Sequence, residues 1–176
     1  MRRTKMAAVR GEVTAMMPVY DPIAGNVTDL YLRQGEVLRI DRSLRLVLRD
    51  YLRQWAFEKT SLQQIYSDDK LQPLVAPLVI HAGHTLIPLR ARHAIGKHDG
   101  AYGYLELASL DPLRLSEHPG GVTLGCGGND LELVCSRRQV MLMLARGENA
   151  ARQYRQQNGE KVAETTRVYV VELSPL

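Results

Sequence analysis

The chain has 176 residues, long enough for one domain with a sizeable core, and its 45% apolar and 24% charged content is that of an ordinary globular protein. A net charge of +4 and a pI near 9.2 admit nucleic acid as a partner without requiring it. No apolar run approaches the ~18 residues that span a bilayer. The opening MRRTKMAAVR has no hydrophobic stretch behind its charges, so neither a membrane span nor a secretory signal is expected and the location read from the sequence is cytoplasmic.

Strands are expected at Glu12–Met17 and Thr28–Arg33, with DPIAGN as the turn between them. A short strand, Glu36–Ile40, leads into DRSLRLVLRDYLRQWAFEK, where Asp41 or Ser43 can supply the oxygen that caps a helix. At 100° per residue, Arg42, Arg45, Arg49 and Arg53 fall in one narrow sector of that helix. Leu44, Leu48, Tyr51, Leu52 and Trp55 gather on another side. Two readings stand side by side: a solvated face whose arginine stems cover apolar ground, and a row of cations aimed at phosphates.

Thr60–Ser61 is expected to start a second, shorter helix through Tyr66. PLVAPLVIHAGHTLIPL suits a hairpin near a sheet edge, and AYGYLELASL reads as a strand with Tyr102, Tyr104 and Glu106 on one face. GGVTLGCGGNDLELVC is the clearest hairpin, turning at Gly127–Asp130. Cys126 and Cys135 sit across it. Buried thiols in a reducing cytoplasm are the default there, and a disulfide stays open. Ser136 caps a helix over Arg137–Gln157, within which Gly147 costs about 1 kcal/mol of propensity. A polar connection at Asn158–Thr166 and a closing strand, RVYVVELS, complete an α+β fold, mainly antiparallel, with two principal helices in a single domain spanning residues 1–176. No internal repeat is visible.

Most chemical constellations fail on spacing. GCGGND joins two strands where a phosphate loop would open a helix. His81 and His84 could converge across a turn, but no third ligand follows at a zinc-like spacing, so neither metal nor cofactor is expected. His93, His98, Asp99 and Glu106 are the nearest acid–base mixture, with no nucleophile or paired-carboxylate spacing among them. The loop LRARHAIGKHDGAYG says more. Arg90, Arg92 and Lys97 stand among glycines between two strands, as a cationic segment entering a DNA groove requires. Arginine suits the narrow minor groove of A/T-rich DNA, and an ordinary solvated loop is the competing reading. Arg137 and Arg138, in the first turn of the last helix, oppose its dipole and hint at an outside anion.

The stretch IDRSLR, with Tyr51 six residues beyond Arg45, resembles the D-R-S-x-R signature of the competence transcription factor (ComK) family. The order of the later elements is similar too, through LELVCS to the helix carrying Arg146 and Tyr154, so the resemblance covers roughly Val37 to Tyr154. Asp41, Arg42, Ser43, Arg45 and Tyr51 match the motif. Arg49 and Arg53 stand where the family tends to have small residues, and Leu142 and Met143 replace its Asn-Gln pair. The resemblance implies a bacterial transcriptional activator that binds A/T-rich boxes through the minor groove as a homo-oligomer, with a regulatory protein as a further partner, and no enzymatic activity. The DNA contacts expected are Arg42, Arg45, Arg49, Arg53, Arg90, Arg92 and Lys97. The alternatives are a protein-interaction module with a basic surface and a small hydrolase built on His93, Asp99 and Glu106.

Overall fold

Asp21 makes the first chain reversal. Its Oδ1 accepts the amides of Ile23 and Ala24 at 2.8 and 2.9 Å, the side chain standing in for a backbone turn. The computed structural model describes residues 9–57, 59, 76–96 and 100–172, with side chains of the final helix described through Asn158. The reversal joins β1 (Val13–Asp21) to β2 (Gly25–Leu32), and β3 (Val37–Ile40) completes an antiparallel meander. Helix α1 (Leu44–Arg53) follows. A second meander contains β4 (Leu78–His81), β5 (His84–Arg90) and β6 (Tyr102–Glu106). β1 pairs antiparallel with β6, giving one six-stranded sheet in the order β3-β2-β1-β6-β5-β4. After a 3-10 turn at Leu107–Ser109, β7 (Leu110–His118), β8 (Gly121–Cys126) and β9 (Asn129–Leu133) form a separate three-stranded sheet. Helix α2 (Arg137–Glu172) ends the described chain.

Strand alternation divides the core in two. Met16, Leu30, Leu86 and Tyr104 pack with Leu44, Val47, Leu48, Tyr51 and Leu52 of α1 on one face of the large sheet. Ala15, Met17, Ile87, Leu89 and Leu105 face the opposite way, against β8, β9 and Val140, Met143 and Leu144 of α2. The molecule is α+β, with antiparallel sheets and two principal helices. Neither helix is long and apolar enough to cross a membrane among the described residues.

Several local expectations change. Residues 111–118, expected as no element, form most of β7. Only Leu115 is buried along it, and Pro112 and a bulge between Asp111 and Leu115 break the alternation that marks a strand. The connection at 158–166 and the closing strand are replaced by α2, which continues through Glu172. Gln, Glu, Lys and Ala dominate residues 156–164, and extending an existing helix avoids the cost of nucleation. Gly147 does not interrupt α2 because a Cβ there would lie 2.6 Å from Ile87 Cγ2, so the missing side chain lets helix and sheet approach. Ser43 starts α1 without a side-chain cap bond, and Leu44 is the first helical residue. The turn of the GCGGND hairpin narrows to Gly127–Gly128, both at positive φ as a two-residue hairpin demands. The short helix expected at Thr60–Tyr66 lies outside the described residues.

Candidate nucleic-acid interface

Helix α1 is cleanly two-sided. Leu44, Val47, Leu48, Tyr51 and Leu52 are buried, each aliphatic contributing about 1.5–3 kcal/mol on full burial. Arg45, Arg49 and Arg53 recur every four residues on the exposed side, rooted about 6 Å apart along the axis. The side chains of Arg45 and Arg53 make no hydrogen bond or ion pair with the described residues. Arg42 behaves differently. It precedes the helix and its guanidinium reaches Asp50 Oδ2 at 2.8 Å, while Arg49 Nε lies 3.4 Å from the other carboxylate oxygen. Burial pushes the Asp50 carboxyl up, and the two guanidiniums outweigh it and hold it below its ordinary value. Arg42 therefore braces the helix, and its side chain is only 28% exposed.

The second cationic group separates in a similar way. Strand β5 ends at Arg90, so Arg90 and Arg92 do not share a continuing strand. Arg90 is exposed and pairs in register with Tyr102. It has the parity of His84 and Leu86, whose side chains face α1, so it leaves the sheet on the side that carries α1. Arg92 is tied back into the fold: Nε donates to the Gly100 carbonyl at 2.9 Å and NH2 to Asn26 Oδ1 at 2.7 Å. Lys97, His98 and Asp99 lie outside the described residues.

The structure also brings together three residues that the sequence kept apart. Tyr51 OH lies 2.7 Å from His84 Nε2, and His84 Nδ1 lies 2.8 Å from Glu106 Oε1. Arg33 and Ser109 reach Glu106 Oε2, Arg33 at 3.0 Å. Tyr51 OH also donates to the Arg10 carbonyl at 3.0 Å. Tyr51 has a single hydrogen, so the imidazole tautomer decides which of these bonds His84 donates and which it accepts. Burial pushes the Glu106 carboxyl up, but His84, Ser109 and Arg33 outweigh it and hold it below the usual range. Burial also raises the Tyr51 hydroxyl.

Trp55 stacks on His84 at 5.7 Å between centroids, and the Arg10 guanidinium covers the Trp55 ring at 4.2 Å. Tyr51 is fully buried, and His84 and Glu106 are buried beside it. The physical effect of this hydrogen-bonded chain is to pin α1, and with it the arginine row, to β5 and β6. Its partners are separated by 33 and 22 residues, and only their residue types signalled a polar role.

Glu106 is thus committed to His84, whereas His93 stands exposed on the loop after β5 and no hydrogen bond joins the two. Among the described residues no cluster of three His, Cys, Asp or Glu side chains could hold a metal ion. Cys126 and Cys135 are both free thiols and buried, and burial raises each. No protein-family model matches the chain, and no curated protein and no solved structure matches it.

Proposed function

We propose that the chain is a DNA-binding transcriptional regulator whose α1 lies across the phosphate backbone of an A/T-rich duplex. The observation that carries the reading is the exposed row Arg45, Arg49 and Arg53, with Arg45 and Arg53 uncommitted to any described carboxylate. The row extends about 12 Å along the helix axis, and duplex DNA carries a charge every ~1.7 Å. A helix is about 10–12 Å across and cannot enter a minor groove about 6 Å wide, so α1 supplies phosphate contacts and something thinner must read the groove. Arg90, on the same side of the sheet and followed by the glycine-containing loop, has that role. Arg42 and Arg92 hold this surface in shape, and Lys97 adds charge from the same loop. The resemblance to competence regulators supports the remaining parts: minor-groove binding, action as a homo-oligomer in the cytoplasm, and a regulatory protein partner.

Competition on an A/T-rich duplex tests the groove assignment. A netropsin-type minor-groove ligand should displace the protein, and methylation in the major groove should leave binding unchanged. Displacement by major-groove methylation alone would move the contact to the other groove and remove the family analogy.

A further inference from the structure

On the side of the sheet away from α1, a cleft of about 450 Å³ opens between the β4–β5 turn, the 3-10 turn after β6 and helix α2. That volume lies within the ~300–1,000 Å³ usual for small-molecule sites. Glu148, Ala151, Arg152 and Arg155 line it from α2 at helical spacings of three and four, which put them on one stripe. Arg152 and Arg155 stand one turn apart, their side chains making no ion pair or hydrogen bond with any described residue. Glu148 precedes Arg152 by four residues, the order that favours an intrahelical ion pair, yet the pair is not made. The opposite wall is mostly apolar, with Ala82, Gly83, Leu107 and Ala108. Thr85, 3% exposed, also lines the cleft, and its hydroxyl is buried without a hydrogen-bond partner among the described residues. Such an orphan costs roughly 1–3 kcal/mol.

We infer that this cleft binds a small monocarboxylate with a short apolar chain. Two guanidinium forks rooted on one stripe suit the two oxygens of a carboxylate. Two arginines against Glu148 leave a single positive charge, which matches a monoanion and disfavours a phosphate dianion. The apolar wall accommodates an alkyl chain, and the Thr85 hydroxyl gains an acceptor at the head group. The site is separate from the arginine row on α1, so it stands whether or not the chain binds DNA.

The test is a titration of the isotope-labelled full chain by amide NMR, with butyrate as the probe and butylammonium and inorganic phosphate as comparators. Butyrate should shift the Gly83, Thr85, Ala108 and Ala151 amides saturably, and neither comparator should do so. Arg152→Gln combined with Arg155→Gln should weaken binding by about tenfold or more, the equivalent of at least one charge-assisted hydrogen bond. Thr85→Val should weaken it less while keeping the dispersed spectrum of a folded chain. Absence of saturable shifts with butyrate, unchanged affinity in the double variant, or equal binding of inorganic phosphate would each overturn the assignment.

Discussion

Ser43 and Ser136 each follow a three-stranded meander and start a helix, and four residues after each stands a fully buried valine, Val47 or Val140. The two starts are built differently. Ser136 Oγ accepts the Gln139 amide at 3.2 Å while Gln139 Oε1 accepts the Ser136 amide at 2.8 Å, a reciprocal capping box. Ser43 makes no such bond, and Leu46 at the corresponding position has no group to return it. The anchoring differs as well. Helix α2 is seated largely by apolar shape, with Gly147 lying against Ile87. Helix α1 has an apolar face too, but Tyr51 ties it to His84 and Glu106 by hydrogen bonds whose direction depends on protons. One helix is fixed mainly by packing and the other by packing plus a buried polar chain that ends on the Glu106 carboxylate. They should therefore fail under different insults.

The largest difference is expected at Glu106. Glu106→Gln removes the buried carboxylate that His84, Arg33 and Ser109 all reach, which should cost about 3 kcal/mol or more of unfolding free energy in urea titration, since three partners lose a charged acceptor at once. Acid should produce the same loss more gradually in the parent chain. The Glu106 carboxyl is held below its ordinary 4.5, so the native state binds that proton less readily than the unfolded chain does. Its contribution is present above that pH and disappears as pH falls through the lowered native value. Stability measured across the acid limb should drop less steeply in Glu106→Gln than in the parent. Equal slopes would mean that this carboxylate does not govern α1.

On the α2 side, Gly147→Val should cost about 1–3 kcal/mol by overpacking against Ile87, with the acid limb unchanged in shape. The smallest effects separate the two caps. Ser136→Ala should destabilise by about 1 kcal/mol, and Ser43→Ala by no more than a few tenths. Equal losses at the two serines would erase the contrast between the helix starts.

Parts of this arrangement were legible in the residues alone. Spacings of three and four exposed the two faces of α1, and the GCGGND glycines marked the tightest hairpin. The arginine row was visible for the same reason, because periodicity reports which side of a helix meets water. Periodicity says nothing about which cation a distant group will claim. Arg42 is captured by Asp50 because it lies just outside the helix and reaches along it, and Arg92 is captured by Asn26 from 66 residues away. The Tyr51–His84–Glu106 chain was hidden likewise: Tyr51 was read as part of a motif, His84 as half of a metal pair and Glu106 as an acid near the loop. Only the β5–β6 register, which pairs Leu86 with Glu106, shows how these strands bring His84 and Glu106 to the face that carries α1. Strand β7 was missed because an exposed edge with a proline and a bulge has almost no alternation to detect.

The most direct measurement of the central proposal is the salt dependence of binding to an A/T-rich duplex for the parent chain and for Arg45→Ala combined with Arg53→Ala. Both side chains are exposed and unpartnered among the described residues, so the variant should unfold at the same urea concentration as the parent. The parent should bind with log affinity falling linearly against log salt. The double variant should bind more weakly, with a slope shallower by ~1.8, or ~0.9 for each phosphate contact removed. A folded variant with the parent's affinity and slope, or a parent chain that shows no salt-dependent binding, would contradict a DNA-facing role for α1.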